Sequence, residues 1–114
     1  MNPQSIIDKL DQCVVALSRG NIEMKRLGLE KAKTERLYRI EQAKQILALK
    51  LLKHPATLIM EIVKGDEIVS QLRLDKDVAE SSYYTCISAI DNLRIEIDIN
   101  RSKLTWLRTE LNNS

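Results

Sequence analysis

Ten positions in the last third of the chain, Ala79, Tyr83, Cys86, Ile90, Leu93, Ile97, Asn100, Leu104, Leu107 and Leu111, are separated by alternating steps of four and three residues, and nine of them are apolar. That spacing holds all ten on one narrow side of a helix, the pattern of a seam in an antiparallel hairpin or coiled coil. A seam needs something to close on. The pattern therefore predicts an all-α fold: a long antiparallel helical hairpin with short extra helices, assembling as a helical bundle or coiled coil. The chain has 114 residues and is read as one all-helical domain.

Composition points the same way. Phe is absent, Trp occurs once and Tyr three times, so the core is built in layers of Leu, Ile, Val and Ala rather than around large aromatic side chains. The two cysteines, Cys13 and Cys86, fall on apolar helix faces and read as free, buried thiols. The N-terminal residues carry no secretory pattern, and the longest apolar runs are far too short to span a bilayer, so the chain is expected to be cytoplasmic with no membrane partner.

Breakers divide the sequence into four expected helices. Asn2 followed by Pro3 is a start signal, with Asn as N-cap and Pro at the first helical position. Helix 3–19 would turn Ile6, Ile7, Leu10, Cys13, Val14 and Leu17 inward, up to a weak point at Gly20 and Asn21. A long helix over 21–53 follows and stops ahead of Pro55; whether it is continuous with the first is open. Thr57 is positioned to cap a short helix over 57–64, which Gly65 ends, and Asp66 and Glu67 suit the positive end of a helix over 67–111.

Both long helices carry more than one apolar stripe. Ile22, Leu29, Ala32, Ile40, Ala43, Leu47 and Leu51 share one side of helix 21–53, and Met24, Leu27, Tyr38, Leu49 and Leu52 occupy much of the other. In the last helix the seam is opposed by Tyr84, Ile95, Ile99 and Trp106. A helix apolar on two sides must be covered twice. A hairpin dimer forming a four-helix bundle, with the first helix as an added layer, would cover both, and Ile95, Ile99 and Trp106 are expected to contact that second layer. The expected sites of contact are thus the packing seam Tyr83, Cys86, Ile90, Leu93, Ile97, Asn100, Leu104 and Leu107, with Asn100 as a polar residue able to fix register.

Residues 21–53 hold nine Lys or Arg against four Glu, a local net of +5, while residues 76–114 sum to −1. The opposite balance favours pairing of these two helices, with Arg36 snorkelling towards Asp91, Glu96 or Asp98. The same basic residues, Lys25, Arg26, Lys33, Arg36, Arg39 and Lys44, make a nucleic-acid contact the alternative reading. The sequence offers no catalytic constellation, no metal ligand set and no cofactor motif: His54 stands alone beside Pro55, and Lys64-Gly65-Asp66 lacks a glycine-rich phosphate cradle.

The stretches Val63-Lys64-Gly65-Asp66, Val78-Ala79-Glu80, Tyr83-Tyr84 and the terminal Ser102-Lys103-Leu104-Thr105-Trp106-Leu107-Arg108-Thr109-Glu110 resemble small helical accessory proteins of tailed phages and prophages of Gram-positive bacteria. The resemblance covers the second half of the chain and implies a product of an early phage region, acting in the host cytoplasm. It implies no site residue of its own. The resulting expectation is a non-enzymatic helical homo-oligomer, a dimer first, that binds another protein. A nucleic-acid-binding accessory of replication or recombination, or an inhibitor of a host enzyme or defence system, are the alternatives.

Overall fold

The computed structural model describes residues 2–113 and contains three helices, α1 (Pro3–Leu51), α2 (Ala56–Gly65) and α3 (Glu67–Asn113). About 95% of the described residues are helical, and none of them lies in a strand. The chain divides into two compact units. Among the described residues, one comprises 2–25 and 84–113, the other 26–83.

The helix ends follow from local chemistry. Asn2 caps α1 as its spacing indicates: its Oδ1 accepts the Gln4 backbone N–H at 3.0 Å. At the other end the expected stop at residue 53 comes two residues earlier. Lys53 adopts φ 61, the Lys53 N–H donates to the Lys50 carbonyl at 3.0 Å, and the His54 N–H donates to the Leu49 carbonyl at 3.2 Å. Those two bonds form a Schellman closure with a lysine in the left-handed position, and Pro55 follows it. Pro55, not Thr57, is the N-cap of α2, and it offers no side-chain bond. Gly65 is the last residue of α2 and has a negative φ, so it does not end the helix through a left-handed turn. Asp66 separates the helices and caps α3, its Oδ2 accepting the Val69 N–H at 3.0 Å.

Gly20 and Asn21 do not break α1. The helix runs through both, so the first helix is the beginning of a 49-residue helix and supplies no separate layer. Gly20 is present for a packing reason: a Cβ there would stand 3.1 Å from Ile90 Cγ1, inside normal contact.

In the first unit, α1 and α3 run antiparallel. Lys9 Nζ lies 3.7 Å from Glu96 Oε1, and the Cys86 thiol donates to the Gly20 carbonyl at 3.7 Å, so rising numbers on one helix meet falling numbers on the other. Ile6, Leu10, Cys13, Leu17, Gly20 and Met24 of α1 are buried or half-buried, repeating the four-three spacing of α3. Ile7 and Val14, expected inside, are exposed.

The second unit is antiparallel as well: the position of a Cβ on Gly28 lies 3.3 Å from the Tyr83 ring, and Lys76 Nζ stands 5.5 Å from the Tyr38 ring centroid. Its core is small. Ile59 and Val63 of α2 pack with Val69 of α3 and with Ile46 and Leu49 of α1. Leu58 and Ile62, on the other side of α2, are exposed.

Candidate interaction surfaces

Three groups of residues make up the candidate site, and the fold treats each differently. The seam group is inside. Ile90 and Asn100 are buried, and Tyr83, Cys86, Leu93, Ile97, Leu104 and Leu107 are half-buried, while Leu111 at the end of the repeat is exposed. The repeat also extends further towards the N-terminus than the sequence reading took it, through Val69, Leu72 and Lys76. Lys76 at a seam position masked this continuation. Its ammonium turns out to Asp77 Oδ1 at 3.1 Å and Glu80 Oε2 at 3.9 Å while its stem lies inside.

Asn100 is only 4% exposed, and its Nδ2 donates to the Glu96 carbonyl one turn back at 2.8 Å. This amide is satisfied by its own helix. Among the described residues no buried side-chain N or O lacks a hydrogen-bond partner. Both cysteines are free, with Cys13 buried and Cys86 half-buried. Burial pushes the Cys13 thiol above its ordinary value, and the Glu96 carboxylate beside it adds to the shift, which Lys9 partly offsets.

The second-face group is outside. Ile95, Ile99 and Trp106 are all exposed, Trp106 at 63%, and no element within its unit covers them. The contact expected for these residues, with another helix or subunit, is not made by the first helix, which is continuous with the rest of α1 and pairs with the seam side of α3. Trp106 lines an open groove with Asp98, Arg101, Ser102, Thr105 and Thr109.

The basic group is outside too. Lys25, Arg26, Lys33, Arg36, Arg39 and Lys44 are all exposed. Arg39 is held by Glu35, Nη2 to Oε1 at 3.0 Å, and this bond keeps the Glu35 carboxyl below its usual range. Arg36 does not snorkel to an acid of α3: Asp91 pairs with Arg94 and Glu96 with Lys9.

The arrangement the sequence reading missed lies in α1 of the second unit. Its covered side presents Lys31, Thr34, Glu35, Glu41, Gln42 and Gln45 between Leu27, Tyr38, Ile46 and Leu49, while Leu29, Leu37, Ile40, Leu47 and Leu51 face out, Leu51 being 75% exposed. Of the two apolar stripes expected to need cover, the one with Met24, Leu27, Tyr38 and Leu49 is half-buried, although its Leu52 is exposed, and the one with Ile22, Leu29, Ile40, Leu47 and Leu51 is left open. Two glycines give the local reason for the hairpin's choice of face. Gly20 and Gly28 let α3 approach along the side they occupy, with Ile90 and Tyr83 filling the space above them. Glycine carries no hydrophobic weight in a pattern count, so this signal is weak in a sequence.

Among the described residues no helix is long and apolar enough to cross a membrane, and no group of three or more His, Cys, Asp or Glu is placed to hold a metal ion. Comparison of the chain with protein-family models, with curated proteins and with solved structures finds no match.

Proposed function

We propose that this is a non-enzymatic accessory protein that works by helix-mediated protein–protein association, as a homo-oligomer that presents apolar helix faces to partners. One observation carries the reading. In the second unit α1 packs one side, with Leu27, Tyr38, Ile46 and Leu49 among polar residues, and leaves a second apolar stripe of Leu29, Ile40, Leu47 and Leu51 exposed, so that stripe is available for an intermolecular contact. Scattered exposed leucines are ordinary, but a row repeating at helical spacing along one helix is a docking pattern. The resemblance to phage accessory proteins supports a setting in a host cytoplasm.

Sedimentation velocity over a concentration series tests the reading: mass rising above that of a single chain at micromolar concentration supports self-association, and a monomer at every concentration overturns it. A second reading, binding of nucleic acid, is favoured by the exposure of all six basic residues on and beside the same helix. Retention of duplex or single-stranded DNA that weakens steeply with salt, and that is lost on Lys33→Glu with Lys44→Glu, would select it.

A further inference from the structure

The outer face of α1 in the first unit carries Ile7, Val14, Val15 and Ile22, the last 70% exposed. Their positions are symmetric about the peptide between Val14 and Val15: one valine lies directly on each side of it, and the two isoleucines lie equally far out. A row with that symmetry matches itself when a second copy is laid on it antiparallel. In that register Ile7 meets Ile22 of the second copy and Val14 meets its Val15, and both contacts occur twice.

Charge follows the same symmetry. Asp8 and Asp11 precede the midpoint and Arg19 follows it. At 100° per residue Asp8 and Arg19 lie on the same flank of the row, and Asp11 lies within it. The antiparallel register sets Arg19 between Asp8 and Asp11 of the second copy, and the reverse. Neither Asp11 nor Arg19 has an ion-pair partner within its own chain among the described residues. The segment 4–25 is also balanced, with three acidic and three basic side chains. Further along, Lys33, Arg36, Lys44 and Lys50 dominate, and self-contact there would set like charge against like.

We infer that the first unit forms a two-fold, antiparallel dimer through the outer face of α1, centred on Val14 and Val15, with reciprocal contacts from Arg19 to Asp8 and Asp11 of the second copy. The inference rests on the self-association proposed above and names the face that performs it. It leaves the basic stripe of the second unit and the Trp106 groove open for other partners.

Charge exchange tests it in the intact protein. Arg19→Asp alone and Asp11→Arg alone should each weaken dimerisation about tenfold, measured by sedimentation equilibrium in low salt, because each places like charges together twice. An equimolar mixture of the two variants, or the double variant, should recover most of the loss. Position 15 supplies a second readout. Val15→Cys lies beside the two-fold and should give a disulfide-linked dimer under mild oxidation, whereas Ile22→Cys stands about 22 Å along the axis from its own mate and should not. A dimer indifferent to both charge variants and not captured by Val15→Cys overturns this interface and leaves self-association standing. A chain monomeric at all concentrations overturns both.

Discussion

Gly20 is the position at which local helix preference and tertiary packing oppose each other most directly, and Gly20→Ala measures the difference. Replacing a mid-helix glycine by alanine favours the helix by about 1 kcal/mol. The added Cβ would meet Ile90 Cγ1 at 3.1 Å and Ile90 Cδ1 at 3.6 Å. The first distance is several tenths of an ångström inside the optimum for two carbons. Ile90 has little room to yield: it is 3% exposed, and its β-branched side chain is confined to one χ1 well in a helix. Overpacking of this kind costs roughly 1–3 kcal/mol, so the net effect should be a loss of about 1 kcal/mol, or about 4 °C in Tm for a chain of this size. The background Ile90→Ala removes the obstructing atoms. There Gly20→Ala should change sign and stabilise by about 1 kcal/mol, although Ile90→Ala itself costs several. Urea unfolding followed by circular dichroism, at one fixed protein concentration, gives all four corners of the cycle. Stabilisation of the wild-type chain by the full propensity term would instead show that the two helices are not in contact at this point.

Other substitutions probe the remaining features. Asn100→Leu should raise stability by about 1 kcal/mol in thermal unfolding, because Glu96's carbonyl keeps its helical partner and the leucine adds apolar burial; a loss would show that the amide bonds across the seam. Lys53→Gly should stabilise by about 0.5–1 kcal/mol in urea unfolding, by relieving a left-handed φ of 61 on a residue with a Cβ, and a neutral result would mean the closure is not populated. Trp106→Ala should change monomer stability by less than about 1 kcal/mol, with its emission in the wild type close to that of free tryptophan; a loss of several kcal/mol at high dilution would place it in a core. Cys13 is a linkage test. Its folded thiol holds its proton above the ordinary value of 9.0, so the stability it contributes is complete below that pH and should fall as pH rises past it, a slope that Cys13→Ala should reduce.

The seam of α3 could be read directly from the sequence because its physics is one-dimensional. A four-three repeat of Ile, Leu and Cys defines one side of a helix whatever that helix meets, and the buried Ile90 and Asn100 lie on that side. The caps at Asn2 and Asp66 are local for the same reason, each being a side chain bonding a backbone N–H two or three residues on. In α1 the repeat was harder to recognise. Its packed side sets Leu27, Tyr38 and Leu49, which the apolar pattern does select, among Gly20, Gly28, Lys31, Thr34 and Gln45, which no hydrophobicity count selects, while its other apolar side carries Ile22, Leu29, Leu47 and Leu51 into the open. Only the approach of α3 could decide between those sides. The approach depends on clearance at two glycines, and clearance belongs to a pair of helices rather than to either alone. The continuity of α1 was settled in the same way: an isolated Gly-Asn pair is a poor helix segment, but contact with Ile90 and Cys86 holds Gly20 in the helix at a cost its neighbours offset. What the chain sequence determined by itself was period and sign of charge, which act within a few residues; which faces met, and which were left for other molecules, was decided by steric fit between segments some seventy positions apart.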